Sequence, residues 1–283
     1  MKKRLITIIS GVLILLSVTA SLSVSGQSQK NMERKYLTKL PSGKPEDDGT
    51  LQKYRMTALY TNMDIYGNFT GRTMVTGDYT RGFKGGHSEW NNVFVSDSKN
   101  QSGPFDQVKE QKFMENFRYM PSDSMIKEEA FKNFPTSIDN IYSRNLIWDM
   151  MGVELFAWRY NDSLKLNAAY KIPDITGKFD MAGIGSYNHS SIQLCWTGLS
   201  VMNNELCAVI EYRALNNKLE IATGNIKTKG TEQYWGATWI SLKSSQIEFA
   251  EIFSSTFQEV DVQGMSNKFL MKTIRELKVE RIK

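Results

Sequence analysis

Histidine is scarce in this chain of 283 residues: His87 and His189 are its two copies. No His-Glu-x-x-His, Cys-x-x-Cys or Gly-x-Ser-x-Gly occurs, which removes the usual zinc-hydrolase and nucleophile-elbow patterns. His87 sits in "GGHSEW" near Glu89, and His189 in "SYNHSS". Both contexts are rich in turn formers, and neither spacing supplies a partner, so each reads as a loop histidine rather than a catalytic one. Gly183-Ile184-Gly185 lacks the following helix that a phosphate-binding glycine loop needs. No cofactor and no metal is expected.

Cysteine is equally sparse, with Cys195 and Cys207. A strand–turn–strand reading of "SSIQLCWTGLSVMNNELCAVIEYRA", turning at Asn203-Asn204, pairs residues whose numbers sum to about 407. Leu199 then faces Ala208, Val201 faces Leu206 and Thr197 faces Ile210 on one apolar side, with Trp196 and Val209 on the other. Cys207 pairs with Ser200 and Cys195 with Tyr212 on opposite faces, which predicts two free thiols. A longer loop would bring the cysteines together, so a bridge stays open as the alternative.

Charge of one sign is also lacking. The start, "MKKRLITIISGVLILLSVTASLSVSGQ", has three basic residues followed by an uncharged run and small polar residues, the plan of a secretory leader ending near Gly26. An earlier end at Val18-Thr19-Ala20 and an uncleaved anchor across Leu5 to Val24 are the alternatives. No cysteine lies there to be acylated. Removing Lys2, Lys3 and Arg4 from 35 Lys and Arg leaves about 32 basic against 30 acidic side chains. Such a balanced surface is not the footprint of a nucleic-acid binder. Export to the periplasm or cell surface is the expectation. Asn68, Asn100, Asn161 and Asn188 each begin an Asn-x-Ser/Thr sequon, and chance occurrence is the default reading.

Residues 27–50 are polar, contain "LPSGKPEDDG" and read as a flexible linker. Residues 51–283 read as one β-rich domain. Tyr54, Met56, Ala58 and Tyr60 alternate onto one face, Gly67-Asn68 supplies a turn, and "FTGRTMVTGDYT" returns. Between about 105 and 158 the period changes. Phe105, Phe113, Phe117 and Met120 fall at helical spacings, "PSDSMIKEEAFKNFP" has start and stop signals, and "SIDNIYSRNLIWDMMGVELFAW" is long enough for a helix that Gly152 could end. The fold class is therefore α+β and β-dominated: a curved antiparallel sheet, half-barrel or open barrel, with a helical insertion packed on it.

"YWGATWISLKSSQIEFAEIF" reads as a hairpin turning at Ser244-Ser245, with Ile240 opposite Phe249, Trp239 opposite Ala250 and Ala237 opposite Ile252. Both faces carry apolar residues, which implies a cover on each. Trp235 and Trp239 share one face about 13 Å apart. Trp196, Trp235, Trp239, Ala237 and Ile252 are the candidate lining of an apolar site; plain core packing is the alternative for the tryptophans. The fourteen methionines suit either an adaptable pocket or an irregular core.

The text "GATWISLKSSQIEFAEI", with Trp-Ile before a Lys-Ser turn and an Ile on the return, resembles the hairpins of periplasmic lipoprotein-carrier (Lol-type) half-barrels over Lys178 to Lys283. The resemblance implies a strongly curved sheet around helices with an apolar hollow for acyl chains. The chain is much longer than that pattern and carries a large insertion. The expected function is non-enzymatic binding of an apolar or lipid-like ligand. An extracellular carbohydrate-active hydrolase, needing two carboxylates across a cleft, and a cell-surface structural or interaction protein are the other classes.

Overall fold

The computed structural model describes residues 43–135 and 139–282, together with 34, 37 and 39–41. The leader, residues 27–33 of the expected linker and the expected cleavage sites lie outside the described residues.

Thirteen strands form one antiparallel sheet that curves but does not close. In chain order they are β1 (Gln52–Asp64), β2 (Phe69–Arg81), β3 (Ser88–Ser98), β4 (Asp106–Glu110), β5 (Phe117–Tyr119), β6 (Ala169–Lys171), β7 (Gly177–Asp180), β8 (Gly185–His189), β9 (Ile192–Met202), β10 (Glu205–Thr223), β11 (Ile226–Ser241), β12 (Ile247–Val262) and β13 (Phe269–Ile282). Their order across the sheet is β4-β3-β2-β1-β13-β12-β11-β10-β8-β7, with β9 also on β10, β6 on β9 and β5 on β3. The first and last long strands pair, Tyr60 opposite Arg275, so the two ends of the domain close on each other. One helix, α1 (Asp139–Trp158), lies on the concave face against β10, β11, β2 and β3.

The alternation expected for β1 holds: Tyr54, Met56, Ala58 and Tyr60 are all buried on the α1 side. Helix α1 presents Leu146, Ile147, Met150, Val153 and Ala157 at helical spacing, all buried. It runs through Gly152, where an added Cβ would meet nothing within 4 Å. Residues 105–135 are not helical in the way the aromatic spacing predicts. They form β4, β5 and short 3-10 turns, Lys112–Met114, Asp123–Ile126 and Glu128–Phe131. Their aromatic rings pack across the chain instead: Phe134 lies 4.7 Å from Phe113 and 5.1 Å from Phe117, and Phe131 lies 5.7 Å from Trp148 of α1. In the stretch expected to be linker, Leu40 is buried and Asp47 pairs with Arg81 at 3.2 Å.

Both hairpin registers are corrected near a bulge. At Asn203-Asn204 the two asparagines take φ of 53° and 64°, the pair of left-handed residues such a turn needs, and Leu199 faces Ala208 as expected. Beyond Gly198, whose φ is 147°, Thr197 bulges out, so Ile210 faces Trp196 and Glu211 faces Cys195. Trp196 therefore turns into the core, 1% exposed. In the second hairpin the loop closes between Ser241 and Gln246, with Ser245 alone at positive φ, 58°. Glu248 is then bulged, and Trp239 faces Phe249, Thr238 faces Ala250 and Ala237 faces Glu251. The thiols of Cys195 and Cys207 are free.

Two glycines on the α1 face of β11 sit where neighbouring backbone comes close. Gly236 lies opposite Tyr212, whose hydroxyl crosses it to donate to the Glu251 carbonyl at 2.6 Å. A Cβ on Gly236 would come within 2.0 Å of that carbonyl oxygen, and one on Gly230 within 2.2 Å of the Phe257 oxygen. Backbone approaches this close need residues without a side chain.

Candidate functional site

The five residues expected to line one site divide between the two faces of the sheet. Trp196 and Ile252 are buried in the core on the α1 side. Trp235, Ala237 and Trp239 alternate with the α1-facing Tyr234, Gly236 and Thr238 and so point outward. There Trp235 stacks on Phe253 at 6.2 Å and stays 45% exposed, while Trp239 meets Phe249 at 5.2 Å. The one-residue register change around Glu248 separates Ile252 from the tryptophans.

The concave face is a series of cross-strand rows that run from α1 toward the end carrying the β1–β2, β10–β11 and β12–β13 turns. Under α1 lie Tyr212, Gly236, Ile252, Leu277 and Ala58, with the Phe156 ring 4.8 Å from Tyr212. The next row is Ala214, Tyr234, Ser254, Arg275 and Tyr60. Then come Asn217, Glu232, Thr256, Thr273 and Asn62, which form a polar band. Past that band the face becomes apolar again, with Leu219, Gly230, Gln258 and Met271, and finally Ile221, Thr228, Val260 and Phe269.

Two ion clusters fix α1 over this face. At its C-terminal half Arg81 Nε lies 3.2 Å from Glu154, its guanidinium lies 4.4 Å from the Trp158 ring centre, and the Tyr79 hydroxyl donates to Glu154 at 2.8 Å. Burial raises the Glu154 carboxyl above its ordinary range, with Arg81 opposing. At its middle Arg275 Nη1 donates to both oxygens of Asp149, at 2.8 and 3.1 Å. Glu232 stands 4.0 Å from the other Arg275 nitrogen and accepts from the Tyr187 hydroxyl at 2.5 Å. One guanidinium thus serves two largely buried carboxylates, each side chain 14% exposed. Burial pushes Asp149 up to about 6, against the pull of Arg275 and helped by Glu232.

His189 packs against Tyr187 at 4.7 Å and Tyr234 at 6.2 Å. Burial pushes its imidazole down to about 4, so it is neutral at pH 7. His87, the other candidate from the sequence, lies in the turn between β2 and β3, apart from this cluster. Asp149 and Glu232 are the nearest thing to a carboxylate pair on this face, and both are engaged by Arg275. Among the described residues no three His, Cys, Asp or Glu side chains gather to hold a metal.

At the far end, an open depression of about 410 Å³ lies along Gly185 and Ser186 of β8, Glu220 to Ala222 of β10, and Lys227 to Lys229 of β11. Its lining is mostly apolar. Gly185, at φ 156°, lets β8 press onto β10, since a Cβ there would lie 2.0 Å from the Glu220 oxygen. The Thr228 hydroxyl is buried without a hydrogen-bond partner among the described residues. Lys229 pairs with Glu220 at 3.8 Å on the rim. None of these residues carries a local sequence signal; the closest hint is the alternation of Leu219, Ile221 and Thr223 along β10.

No protein-family model matches the chain, and no curated protein matches it. Among solved structures, one describing lipid–protein interactions in lipovitellin is 11% identical, with 83% of this chain covered and a TM-score of 0.44. The match spans a quarter of that protein's chain, 25%. A DUF1329 family protein from Desulfovibrio piger is 8% identical, with 82% of this chain and 86% of that one covered and a TM-score of 0.16. Neither likeness is close enough to carry an argument about function.

Proposed function

We propose that the protein is an exported, non-enzymatic binder of an apolar, lipid-like ligand, held at the end of the concave face that lies beyond α1. The observation that carries the reading is the apolar surface that resumes beyond α1. A sheet face turned to water should be polar along its length. Here Ile221, half-buried, and Phe269, 43% exposed, continue past the polar band beside the buried Val260, and the depression lies over Ile221 and Thr228. The unpartnered Thr228 hydroxyl would meet a polar atom of the ligand, because buried polar groups are rarely left without partners.

A polyene fatty acid such as cis-parinaric acid tests the assignment by fluorescence titration. Saturable binding is expected, weakened roughly tenfold or more by Ile221→Asp, as a charge placed on an apolar contact should do. Trp239→Ala, on the outer face, should leave the affinity unchanged. Absence of binding would refute the reading. Loss of binding in Trp239→Ala with none in Ile221→Asp would favour a second reading, an interaction surface on the outward strip of Trp235, Phe253, Trp239 and Phe249. The 45% exposure of Trp235 is what supports that second reading.

A further inference from the structure

We infer that the end of the sheet carrying the β1–β2, β10–β11 and β12–β13 turns docks onto a lipid bilayer. These turns are consecutive along one end because β2, β1, β13, β12, β11 and β10 are consecutive in the sheet. Met271 pairs with Asp64, which sets the start of β13 beside the β1–β2 turn, and Gln263 N donates to the Asn225 carbonyl at 2.8 Å, which ties the other two turns together. Turn residues are ordinarily polar or glycine. This row instead exposes Ile65 at 46%, Tyr66 at 83%, Met265 at 58% and Leu270 at 40%. The turns at the opposite end show Asn203 and Asn204, Lys243 and Ser244, and Gly85 and Gly86.

The charges around the row fit a lipid headgroup layer. Asp64 is consumed by its own turn, accepting from Tyr66 N at 2.8 Å, Asn68 N at 2.9 Å and Asn68 Nδ2 at 2.8 Å. Lys268 holds Glu259 at 2.8 Å and Asp261 at 3.8 Å, and Lys229 holds Glu220. Lys227 and Lys272 make no ion pair among the described residues; they offset Asp64 and the second carboxylate at Lys268, so the row carries no net charge and presents two unpaired ammonium groups beside protruding apolar side chains. That combination matches phosphate groups above an acyl layer, with the Tyr66 ring at the boundary where aromatic side chains concentrate. Side chains that stand out from strand ends enter a fluid layer, whereas a protein partner would need a matching hollow for each. The inference does not depend on the ligand reading, although the depression opens at the same end.

Hydrogen exchange of the full chain, with and without phosphatidylcholine vesicles containing phosphatidylglycerol, tests it at the residues concerned. Slower exchange is expected in segments 64–70 and 263–271, and the double substitution Tyr66→Asp, Met265→Asp should abolish it and reduce flotation with vesicles by roughly tenfold or more. Val201→Asp, equally exposed but at the other end, should change neither. Both altered turns lie outside the core, and an unchanged near-UV circular dichroism spectrum would establish that the variant is folded. Tyr66→Trp should retain the protection. No protection in those segments, or protection at the opposite end, would overturn the inference whatever the outcome of the fatty-acid titration.

Discussion

Replacing Gly236 by alanine should be among the most damaging single-methyl additions this protein can receive. The added Cβ would stand 2.0 Å from the Glu251 carbonyl oxygen and 2.8 Å from the Tyr212 hydroxyl, both well inside contact distance. Relief requires β11 and β12 to separate by about an ångström within a continuous ladder. Overpacking of this kind costs about 1 to 3 kcal/mol, and losing the buried Tyr212 to Glu251 hydrogen bond adds about 1 to 3 kcal/mol. A total near 3 kcal/mol lowers the thermal midpoint by roughly 6 to 12 °C for a domain of this size. Urea unfolding followed by tryptophan fluorescence reads the free energy directly. In a Tyr212→Phe background the hydrogen bond is already gone and the Glu251 oxygen stays in place, so the overpacking part, about half of the alanine cost, should persist. A Gly236→Ala protein within about 0.5 kcal/mol of the parent would refute the idea that the close backbone approach at Gly236 needs a residue without a side chain.

Asp149 ionises near 3.8 in an unfolded chain and near 6 in the folded one. Between those values the folded protein holds a proton that the unfolded chain lacks, so the group's contribution to stability falls as pH rises through that window, by about 3 kcal/mol in all. Asp149→Asn should remove that decline, and unfolding free energies of parent and variant at pH 4 and pH 7 will show whether it does; identical pH profiles would contradict it. Gly152→Ala should stabilise the protein by about 0.5 to 1 kcal/mol in denaturant titrations, since the site is open and helical. Two equivalents of a thiol reagent should react with denatured, unreduced protein; zero would mean a bridge between Cys195 and Cys207. In the native state Cys207 should react slowly, because it is buried and its thiol is pushed up to about 12.

Elements governed by local pattern were legible in the sequence. The β1 alternation and the Asn203-Asn204 turn needed only side-chain period and tolerance of positive φ. Registers failed where one residue leaves the ladder: Thr197 and Glu248 bulge, and everything beyond changes partner, which is why Trp196 joined the core and Ile252 parted from Trp235 and Trp239. The aromatics at 105–134 mimicked a helical period but meet through tertiary packing around Phe134 and Trp148. Gly152 resembled a helix stop, yet nothing in its surroundings ends the helix. The cluster of Asp149, Glu232, Arg275 and Tyr187 was invisible because each residue comes from a different element, brought together by the ladders that run from β13 through β12, β11 and β10 to β8 and by α1 packed on that face.

The location of the ligand is tested most directly by photolabelling. A long-chain fatty acid carrying a diazirine near its end should, on irradiation with the folded full chain, label residues within 219–228 and 258–271, with labelling suppressed by excess unlabelled fatty acid. Labelling confined to 235–253 on the outer strip, or labelling that excess fatty acid does not suppress, would contradict the assignment of the ligand to the concave face.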